Sequence, residues 1–416
     1  MKAKKYSYDN YDVYIVKSKK FKTIKIHTAF FNDYENEDRT KAKLLTNVLC
    51  RTTGKYKTEI EVSKEIMNLY NPGLGGYNSF LDDHMIMFKL TFLNEKYTEK
   101  GMNKKTIDFY YDIVFNPNLD GEKFESENFN LSKKTLKSMY NREKENPGYF
   151  AYKNATKLIS DDLPIKYPNY GCEEELEDIT EESLYKYYKK LLEKPFVSVF
   201  VMGDVNEEEI LKQINDNLKD KTFKKRDYEI RPFKVHKVKK VTEKIMEENY
   251  NQSNLLMFYK VHNLTDFERR YVLDIFNRLL GAPFTSKLFL NVREKNSMAY
   301  AISSSTYSMQ NLLCVDAGIS SENYEKVVEL IKEQIKDVQD GNITDKELDI
   351  AKESAITALQ RALDSQNGTL SIIIDEELFH IPNNEEDIKK VTKEDIINLS
   401  KKLDLDVVFL LKGVNK

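Results

Sequence analysis

Arg293 and Tyr300 are the residues of this sequence whose types and spacing best suit a chemical task. They flank a short polar turn in the segment 281–307, G-A-P-F-T-S-K-L-F-L-N-V-R-E-K-N-S-M-A-Y-A-I-S-S-S-T-Y. A guanidinium and a phenol both donate hydrogen bonds, and a tight turn between them could aim both donors at one carbonyl oxygen. The alternative is structural, with an arginine in a surface ion pair and a tyrosine at the start of a core strand.

The apolar pattern around the turn predicts the elements that position these two side chains. A short helix is predicted at Ser286–Glu294, and a strand with alternating side chains is predicted to start near Ala299. Three apolar residues share one face of the helix: Leu288, Phe289 and Val292. We therefore expect Arg293 at a helix end and Tyr300 at a strand start.

Hydrophobic periodicity and turn residues predict an α+β chain built from a repeated order of elements. In the first half, the predicted elements are strands 12–17 and 21–31, helices 38–53 and 58–70, a long strand 77–93, helices 103–115 and 122–142, and a strand 197–205. The strand–helix–helix–strand order of residues 20–93 recurs over residues 255–319.

The two halves also end alike. Thr180 and Thr392 each cap a helix that leads into a short apolar strand with a glycine near its end. We predict two similar halves, each a mostly antiparallel sheet covered by helices. The predicted domains are residues 1–218 and 235–416, joined by a charged linker at 219–234 where apolar periodicity lapses.

The charge balance and the absence of long apolar runs limit the classes of partner. The 416 residues include 65 Lys and Arg against 68 Asp and Glu, a formal net charge of -3. This balance creates no field that would attract nucleic acid or an anionic membrane. No apolar run could span a bilayer, and no apolar signal segment follows the basic N-terminus. We expect a cytoplasmic protein without nucleic-acid or membrane partners.

The residues that most often bind transition metals are scattered along the chain. No two of the five histidines are spaced i, i+4, and the three cysteines form no C-x-x-C pair. These residues are His27, His84, His236, His262, His380, Cys50, Cys172 and Cys314. Neither a metal site nor a disulfide framework is predicted from them.

Residues 286–300, S-K-L-F-L-N-V-R-E-K-N-S-M-A-Y, resemble the C-terminal-domain signature of the pitrilysin/insulinase-like inverted-zincin peptidases, which include the processing peptidases. The resemblance implies that Arg293 and Tyr300 hold the substrate carbonyl that a zinc-bound water attacks. It also implies that the two halves form a clamshell around a cleft. The family often has arginine where Lys287 stands and glycine where Ser297 stands, so the turn before Tyr300 departs from the pattern.

The family's zinc motif is replaced in this chain. Active members carry H-x-x-E-H on the first long helix, with two histidine ligands and a glutamate base. Aligned on the flanking leucines, the three positions hold Lys43, Thr46 and Asn47, which share a helix face with Cys50. An ammonium, a hydroxyl and a carboxamide are poor zinc ligands at neutral pH, and none can act as the base.

The third zinc ligand is also missing from the segment where the family carries it. The resemblance aligns that segment with T-L-K-S-M-Y, residues 135–140, and puts Lys137 and Ser138 at or beside the ligand position. The segment contains no carboxylate, so a shift of one residue restores no ligand. The sequence therefore predicts no zinc in this chain.

The resemblance implies a subunit of a heteromeric zinc metallopeptidase that is inactive alone. In this interpretation, a homologous zinc-bearing chain supplies H-x-x-E-H in a heterodimer, while Arg293 and Tyr300 complete its site on a peptide substrate. One alternative is a catalytically inert scaffold subunit of the same fold. Another is a solitary peptide-binding module, which needs no zinc-bearing partner.

Overall fold

The computed structural model describes residues 2–32, 38–79, 84–193, 195–224, 231–380 and 383–414. The chain divides into two compact units. The first unit contains residues 1–141, 168–229 and 366–374, and the second contains 142–167, 230–365 and 375–416. Each unit has one β-sheet and several helices, so the predicted α+β class is confirmed.

The regular elements of the described residues are numbered in chain order. The strands are β1 Lys4–Ser7, β2 Tyr11–Lys17, β3 Thr23–Asn32, β4 Gly73–Ser79, β5 His84–Leu93, β6 Phe196–Gly203, β7 Thr242–Glu248, β8 Ser253–Val261, β9 Ala301–Tyr307, β10 Leu312–Ile319 and β11 Leu403–Gly413. The helices are α1 Arg39–Leu49, α2 Glu59–Asn68, α3 Met102–Phe115, α4 Ser126–Glu145, α5 Pro147–Thr156, α6 Glu173–Glu177, α7 Glu181–Leu192, α8 Glu207–Leu218, α9 Leu273–Leu280, α10 Tyr324–Gln339, α11 Asp345–Asp364, α12 Gln366–Phe379, α13 Glu385–Lys390 and α14 Lys393–Ser400. Two π-helical segments, Glu268–Val272 and Phe289–Lys295, lie in the second unit.

The sheet of the first unit has the strand order β1-β2-β6-β3-β5-β4. β2 and β6 are parallel, and the other neighbours are antiparallel. One face of the sheet carries the main core of this unit, where Ile26 and Phe88 join Leu44 and Leu45 of α1 in one buried cluster. Because side chains alternate along a strand, the neighbours of Ile26 and Phe88 point to the opposite face.

The sheet of the second unit has the order β7-β11-β8-β10-β9, with β7 and β11 parallel and the rest antiparallel. Apart from β1, the two sheets correspond strand for strand, with β2 matching β7 and β6 matching β11. Capping boxes at Thr180 and Thr392 start the equivalent helices α7 and α14. The prediction of two similar halves is confirmed.

The prediction of one long strand at 77–93 is wrong. β4 and β5 pair antiparallel, with Ser79 opposite Met85, so the chain reverses between them; residues 80–83 of this segment lie outside the described residues. The sequence has Asp82-Asp83 at this point, and aspartate is depleted in strands and enriched in turns. Strands β1 and β7 were not predicted, because their mostly exposed residues carry little hydrophobic pattern.

The two units are not contiguous in sequence. One helical segment of the N-terminal half belongs to the second unit, and one helical segment of the C-terminal half belongs to the first. Residues 142–167 are part of the second unit, where Ala151 and Ala155 of α5 are fully buried in one cluster with Phe258 and Phe409. Residues 366–374 are part of the first unit, where the Gln366 amide donates to the Met202 carbonyl at 3.0 Å.

A buried charge cluster also fastens the segment 142–167 within the second unit. The Lys260 side chain is 1% exposed, forms an ion pair with Asp161 and donates to Ser160 Oγ at 2.7 Å. Ser160 Oγ lies 2.6 Å from Asp406 Oδ1, and the Asp406 side chain is fully buried. A buried lysine between two carboxylates requires this close pairing, because an unpaired charge in this position would be strongly destabilising.

Part of the predicted linker at 219–234 falls on residues 225–230, which lie outside the described residues. Its last residues pack in the second unit: the Phe233 amide donates to the Met309 carbonyl at 2.7 Å. None of the described helices is both long and apolar enough to cross a membrane.

Candidate functional site

Arg293 lies on the π-helical segment Phe289–Lys295, close to its C-terminal end. Leu288 and Val292 are fully buried and anchor this segment to the core of the second unit. The prediction placed a helix here, but the structure has π-type turns over most of it. Two buried residues four positions apart fit either helix type, so their spacing could not distinguish them. π-helical turns are rare and frequently occur at functional sites.

The Arg293 side chain is 40% exposed and has weak local contacts. Its guanidinium lies 4.9 Å from the centre of the Phe289 ring, and its Nε is 3.8 Å from Glu294 Oε1. A cation above an aromatic ring is oriented without using up its hydrogen-bond donors. Arg293 can therefore present N–H groups to a ligand.

A tight turn connects the π-helical segment to Tyr300. The Ser297 amide donates to the Arg293 carbonyl at 3.0 Å, and Ser297 has a left-handed φ of 51°. The Asn296 side chain donates to the Asn291 carbonyl at 2.6 Å. Glycine adopts a left-handed backbone at less cost than serine, which gives a physical reason for the family's frequent glycine at this position.

Tyr300 immediately precedes β9 and is 65% exposed. Its amide donates to the Gly318 carbonyl at 2.9 Å, which fixes its backbone against β10. Its hydroxyl lies 3.1 Å from Ser320 Oγ. The structure thus holds the backbone of Tyr300 in place and leaves much of the phenol accessible.

Exposed apolar side chains surround the segment that carries Arg293. Phe284 is 78% exposed and Leu290 is 48% exposed. The ring centres of Phe284 and Phe289 are 5.1 Å apart, in an edge-on arrangement. Phe289 is partly buried, so the exposed apolar surface here consists of Phe284 and Leu290, and exposed apolar residues of this kind are common on surfaces that bind peptides or proteins.

The helix face aligned with the zinc motif lies on α1 and is occupied by side chains that do not bind zinc. Thr46 is buried and its hydroxyl donates to the Lys43 carbonyl at 2.9 Å. Lys43 Nζ lies 5.2 Å from the centre of the Tyr170 ring, and burial lowers the pKa of Lys43. Burial raises the pKa of Cys50 to about 11 despite nearby Lys43, so its thiol is protonated at neutral pH.

This face of α1 packs against β4. A Cβ on Gly76 would lie 2.4 Å from Thr46 Cβ, which is closer than real Cβ atoms approach other side chains. Asn47 is partly buried. α1 packs beside the sheet edge, and its side chains at these positions make packing contacts.

The segment aligned with the third ligand also lacks zinc chemistry. Lys137 on α4 forms ion pairs with Glu177 at 2.5 Å and with Glu173 at 3.5 Å. The Ser138 hydroxyl donates to the Lys134 carbonyl at 3.0 Å. The two carboxylates that α6 brings to Lys137 were not predictable from the sequence, because nothing local marks a pairing of residues about 40 positions apart.

The donor set present does not fit zinc. In the part of the chain that the structure describes, no group of three or more His, Cys, Asp or Glu side chains could hold a metal ion. Lys43, Thr46 and Asn47 supply no thiolate, imidazole or carboxylate, and Lys137 carries a positive charge. We therefore derive no metal-dependent step from residues of this chain.

The two similar α+β units and a zinc-motif helix without zinc ligands define a class, the inverted-zincin fold that has lost its own metal site. A family model described as the peptidase M16 inactive domain matches residues 178–355. The probable inactive metalloprotease YmfF of Bacillus subtilis is 30% identical over 413 residues, which cover 96% of this chain and 95% of that protein. The chain belongs to the peptidase M16 family, and the predicted resemblance is confirmed.

Solved structures agree with this assignment of the fold. A conserved protein from Enterococcus faecalis V583 matches over the full length of both chains, with a TM-score of 0.89 and 25% identity. The peptidase M16 inactive domain from Pseudomonas fluorescens matches with a TM-score of 0.78 and 17% identity, over 100% of this chain and 99% of that chain. The fold is therefore that of M16 proteins along the whole sequence.

Proposed function

We propose that this chain is the subunit without zinc in a heteromeric, cytoplasmic zinc peptidase that cleaves peptides. A homologous partner chain supplies the H-x-x-E-H site, and this chain binds substrate and stabilises the scissile carbonyl. The observation that carries the proposal is a contrast between two segments. Arg293 and Tyr300 stay accessible on a firmly anchored segment, whereas the zinc-motif positions of α1 are filled with packing residues.

Arg293 and Tyr300 would act on the oxygen of the scissile peptide bond. Arg293 donates charge-assisted N–H bonds and Tyr300 donates its hydroxyl, and both bonds strengthen as negative charge develops on that oxygen. The partner's zinc would supply the activated water. Removal of one such donor typically lowers turnover by about 100-fold or more.

Residues 73–77 of β4 offer a place for the backbone of an extended substrate, whereas the Asn78 carbonyl already accepts a hydrogen bond from the Asn169 side chain at 3.0 Å. β4 is an edge strand of the first sheet, next to the helix that carries the degenerate zinc motif. A peptide that adds to a sheet edge is held by main-chain hydrogen bonds, and its alternate side chains reach the two sheet faces. A peptide bound in this way gains affinity from its backbone, so binding depends only weakly on the peptide's sequence.

The test is turnover by the enzyme assembled from this chain and its co-purified partner. Arg293→Ala and Tyr300→Phe should each reduce cleavage of a mixed peptide library by about 100-fold while leaving zinc content and assembly unchanged. Arg361→Ala and Tyr97→Phe change exposed residues of the same types and serve as controls. Normal turnover in both site variants would rule out the catalytic assignment.

A catalytically inert peptide-binding or scaffold subunit is the second candidate, and the probable inactivity of the Bacillus relative favours it. The same purification separates the two. A chain that elutes without a zinc-bearing partner, shows no cleavage and still binds peptides supports the inert subunit.

A further inference from the structure

Three basic side chains lie together on the sheet face of the first unit that points away from the main core. His27 on β3 is paired with Lys89 on β5, and Lys25 is paired with Thr91. All four residues share this face, because each alternates with a residue of the buried cluster on the other side. Lys89 in turn lies opposite Gly75 of the edge strand β4.

The two lysines have no carboxylate partner among the described residues. Lys25 Nζ donates to Thr91 Oγ1 at 2.8 Å, and Lys89 Nζ lies 4.6 Å from the centre of the Tyr77 ring. A hydroxyl and an aromatic ring orient an ammonium without neutralising it. Two neighbouring lysines that are partly buried and not neutralised are unusual in proteins.

His27 adds a buried polar group without a partner. Its side chain is only 6% exposed, and its Nδ1 makes no hydrogen bond in the structure. Buried polar atoms nearly always have a partner, so this ring nitrogen is available to a bound polar group.

The three groups destabilise each other's charged forms. Burial lowers the pKa of Lys89, and burial together with Lys89 lowers the pKa of Lys25. Burial and then the two lysines lower the pKa of His27 to about 3. A negative charge bound between them would offset both the burial and the repulsion.

The edge strand leaves room for such a charge. A Cβ on Gly75 would meet no atom within 4 Å, so the space beside Lys89 is open on this side. Gly73, opposite Thr91, likewise presents no side chain. A ligand can therefore approach the lysines over the backbone of β4.

We propose that Lys25, His27 and Lys89 form a binding site for a carboxylate of an extended peptide that crosses the backbone of β4 at Gly73 and Gly75. This inference rests on the proposed function and names its substrate class, acidic peptides. The peptide has to cross β4, because a strand paired with β4 would lie three strand spacings, about 14 Å, from Lys25 and His27 on β3, which is beyond the reach of a glutamate side chain to His27. The carboxylate comes from an aspartate or glutamate side chain or from the peptide's own C-terminus.

The test compares three fluorescent nine-residue peptides that bind the full-length chain, measured by anisotropy. One has a central glutamate and an amidated C-terminus, one is neutral with a free C-terminus, and one is neutral and amidated. We expect the peptide that carries the right carboxylate to bind about tenfold more tightly than the neutral amidated peptide, as for one charge-assisted hydrogen bond. Comparison of the first two peptides distinguishes the side chain from the C-terminus.

Lys25→Met and Lys89→Met should each remove most of that tenfold preference and leave binding of the neutral amidated peptide unchanged. Lys244→Met removes an exposed lysine from a strand of the other sheet and is the matched control. Thermal melting confirms that the variants are folded, and loss of a repelling charge is not expected to lower the melting temperature. Equal binding of all three peptides, or a preference that persists in the double lysine variant, would overturn the proposal.

Failure of this site and failure of the proposed function give different results. Arg293→Ala should reduce cleavage by the assembled enzyme about 100-fold but keep the preference for the acidic peptide. If cleavage depends on Arg293 and no preference exists, only the carboxylate site is wrong. If the preference exists and no zinc-bearing partner or cleavage is found, the carboxylate site stands and the peptidase proposal fails.

Discussion

Lys43, Thr46 and Asn47 of α1 occupy the positions of a metal motif but make ordinary helix and packing contacts. The Thr46 hydroxyl bonds back to the carbonyl three residues earlier, and Lys43 lies near an aromatic ring. A zinc ligand must instead direct a free electron pair at the metal. These residue types were readable in the sequence, whereas the burial of Thr46 against β4 was not.

The burial of His27 predicts that the protein loses stability as the pH falls. Its pKa is about 3 in the folded protein, against about 6.5 when unfolded, so the unfolded state binds the extra proton in between. Its contribution to stability is full above about pH 6.5 and decreases as the pH falls, by about 1.4 kcal/mol per unit. Between pH 7 and pH 5 the wild type should lose about 2 kcal/mol more than His27→Gln, measured by urea unfolding.

The control for this measurement is His380→Asn. His380 is exposed and has a left-handed φ of 52°, a conformation that asparagine tolerates. This variant keeps His27, so it should keep the loss of about 2 kcal/mol on acidification that is assigned to His27. An equal loss in His27→Gln would show that His27 does not take up the proton on unfolding.

At the scale of elements, the contact of α1 with β4 depends on the absence of a side chain at Gly76. Gly76→Ala would place a methyl group 2.4 Å from Thr46 Cβ and 3.4 Å from the Thr46 backbone Cα. Helix and strand would have to separate, which should destabilise the protein by about 1–3 kcal/mol. The measurement is the urea midpoint of the variant.

Gly75→Ala is the matched control for the same strand. A methyl group at Gly75 meets nothing within 4 Å, so stability should stay within about 0.5 kcal/mol of the wild type. Similar losses in the two variants would mean that strand propensity, and not the contact with α1, sets the cost.

In the π-helical segment Phe289–Lys295, the sequence predicted which residues are buried but not the type of helix. Burial of Leu288 and Val292 was predictable from their apolar types, as was the chain reversal before the strand that follows Tyr300. The π-type turns were not predictable, because hydrogen-bond register is not encoded by two apolar positions.

At the scale of the whole molecule, the two units are not simple consecutive halves. Residues 366–374 belong to the first unit, where Leu370 is fully buried and Ile373 is 1% exposed. A fragment of residues 2–224 lacks them. This fragment should be less stable than the same fragment with residues 365–380 attached, by about 3 kcal/mol or more, which is the contribution of two buried aliphatic side chains.

This prediction is checked by thermal melting of two fragments. Both fragments expose the apolar side of residues 142–167, so the comparison is of their melting temperatures, and residues 2–224 alone should melt at the lower temperature. The same fragment with residues 365–380 attached by a flexible linker should regain a higher melting temperature. Identical melting of the two fragments would mean that α12 contributes nothing to the first unit.

The sequence alone determined the α+β class, the repeat of two similar halves, the capped helices α7 and α14 and the loss of the zinc motif. These features depend on residue types, periodicities and caps that act over a few neighbouring positions. Only the tertiary structure decided that residues 142–167 belong to the second unit and residues 366–374 to the first. It also decided the ion pair of Lys137 with Glu177 and the position of Lys25, His27 and Lys89 on one sheet face. Each of these joins residues far apart in the chain, and such contacts depend on sheet register and packing that no local pattern records.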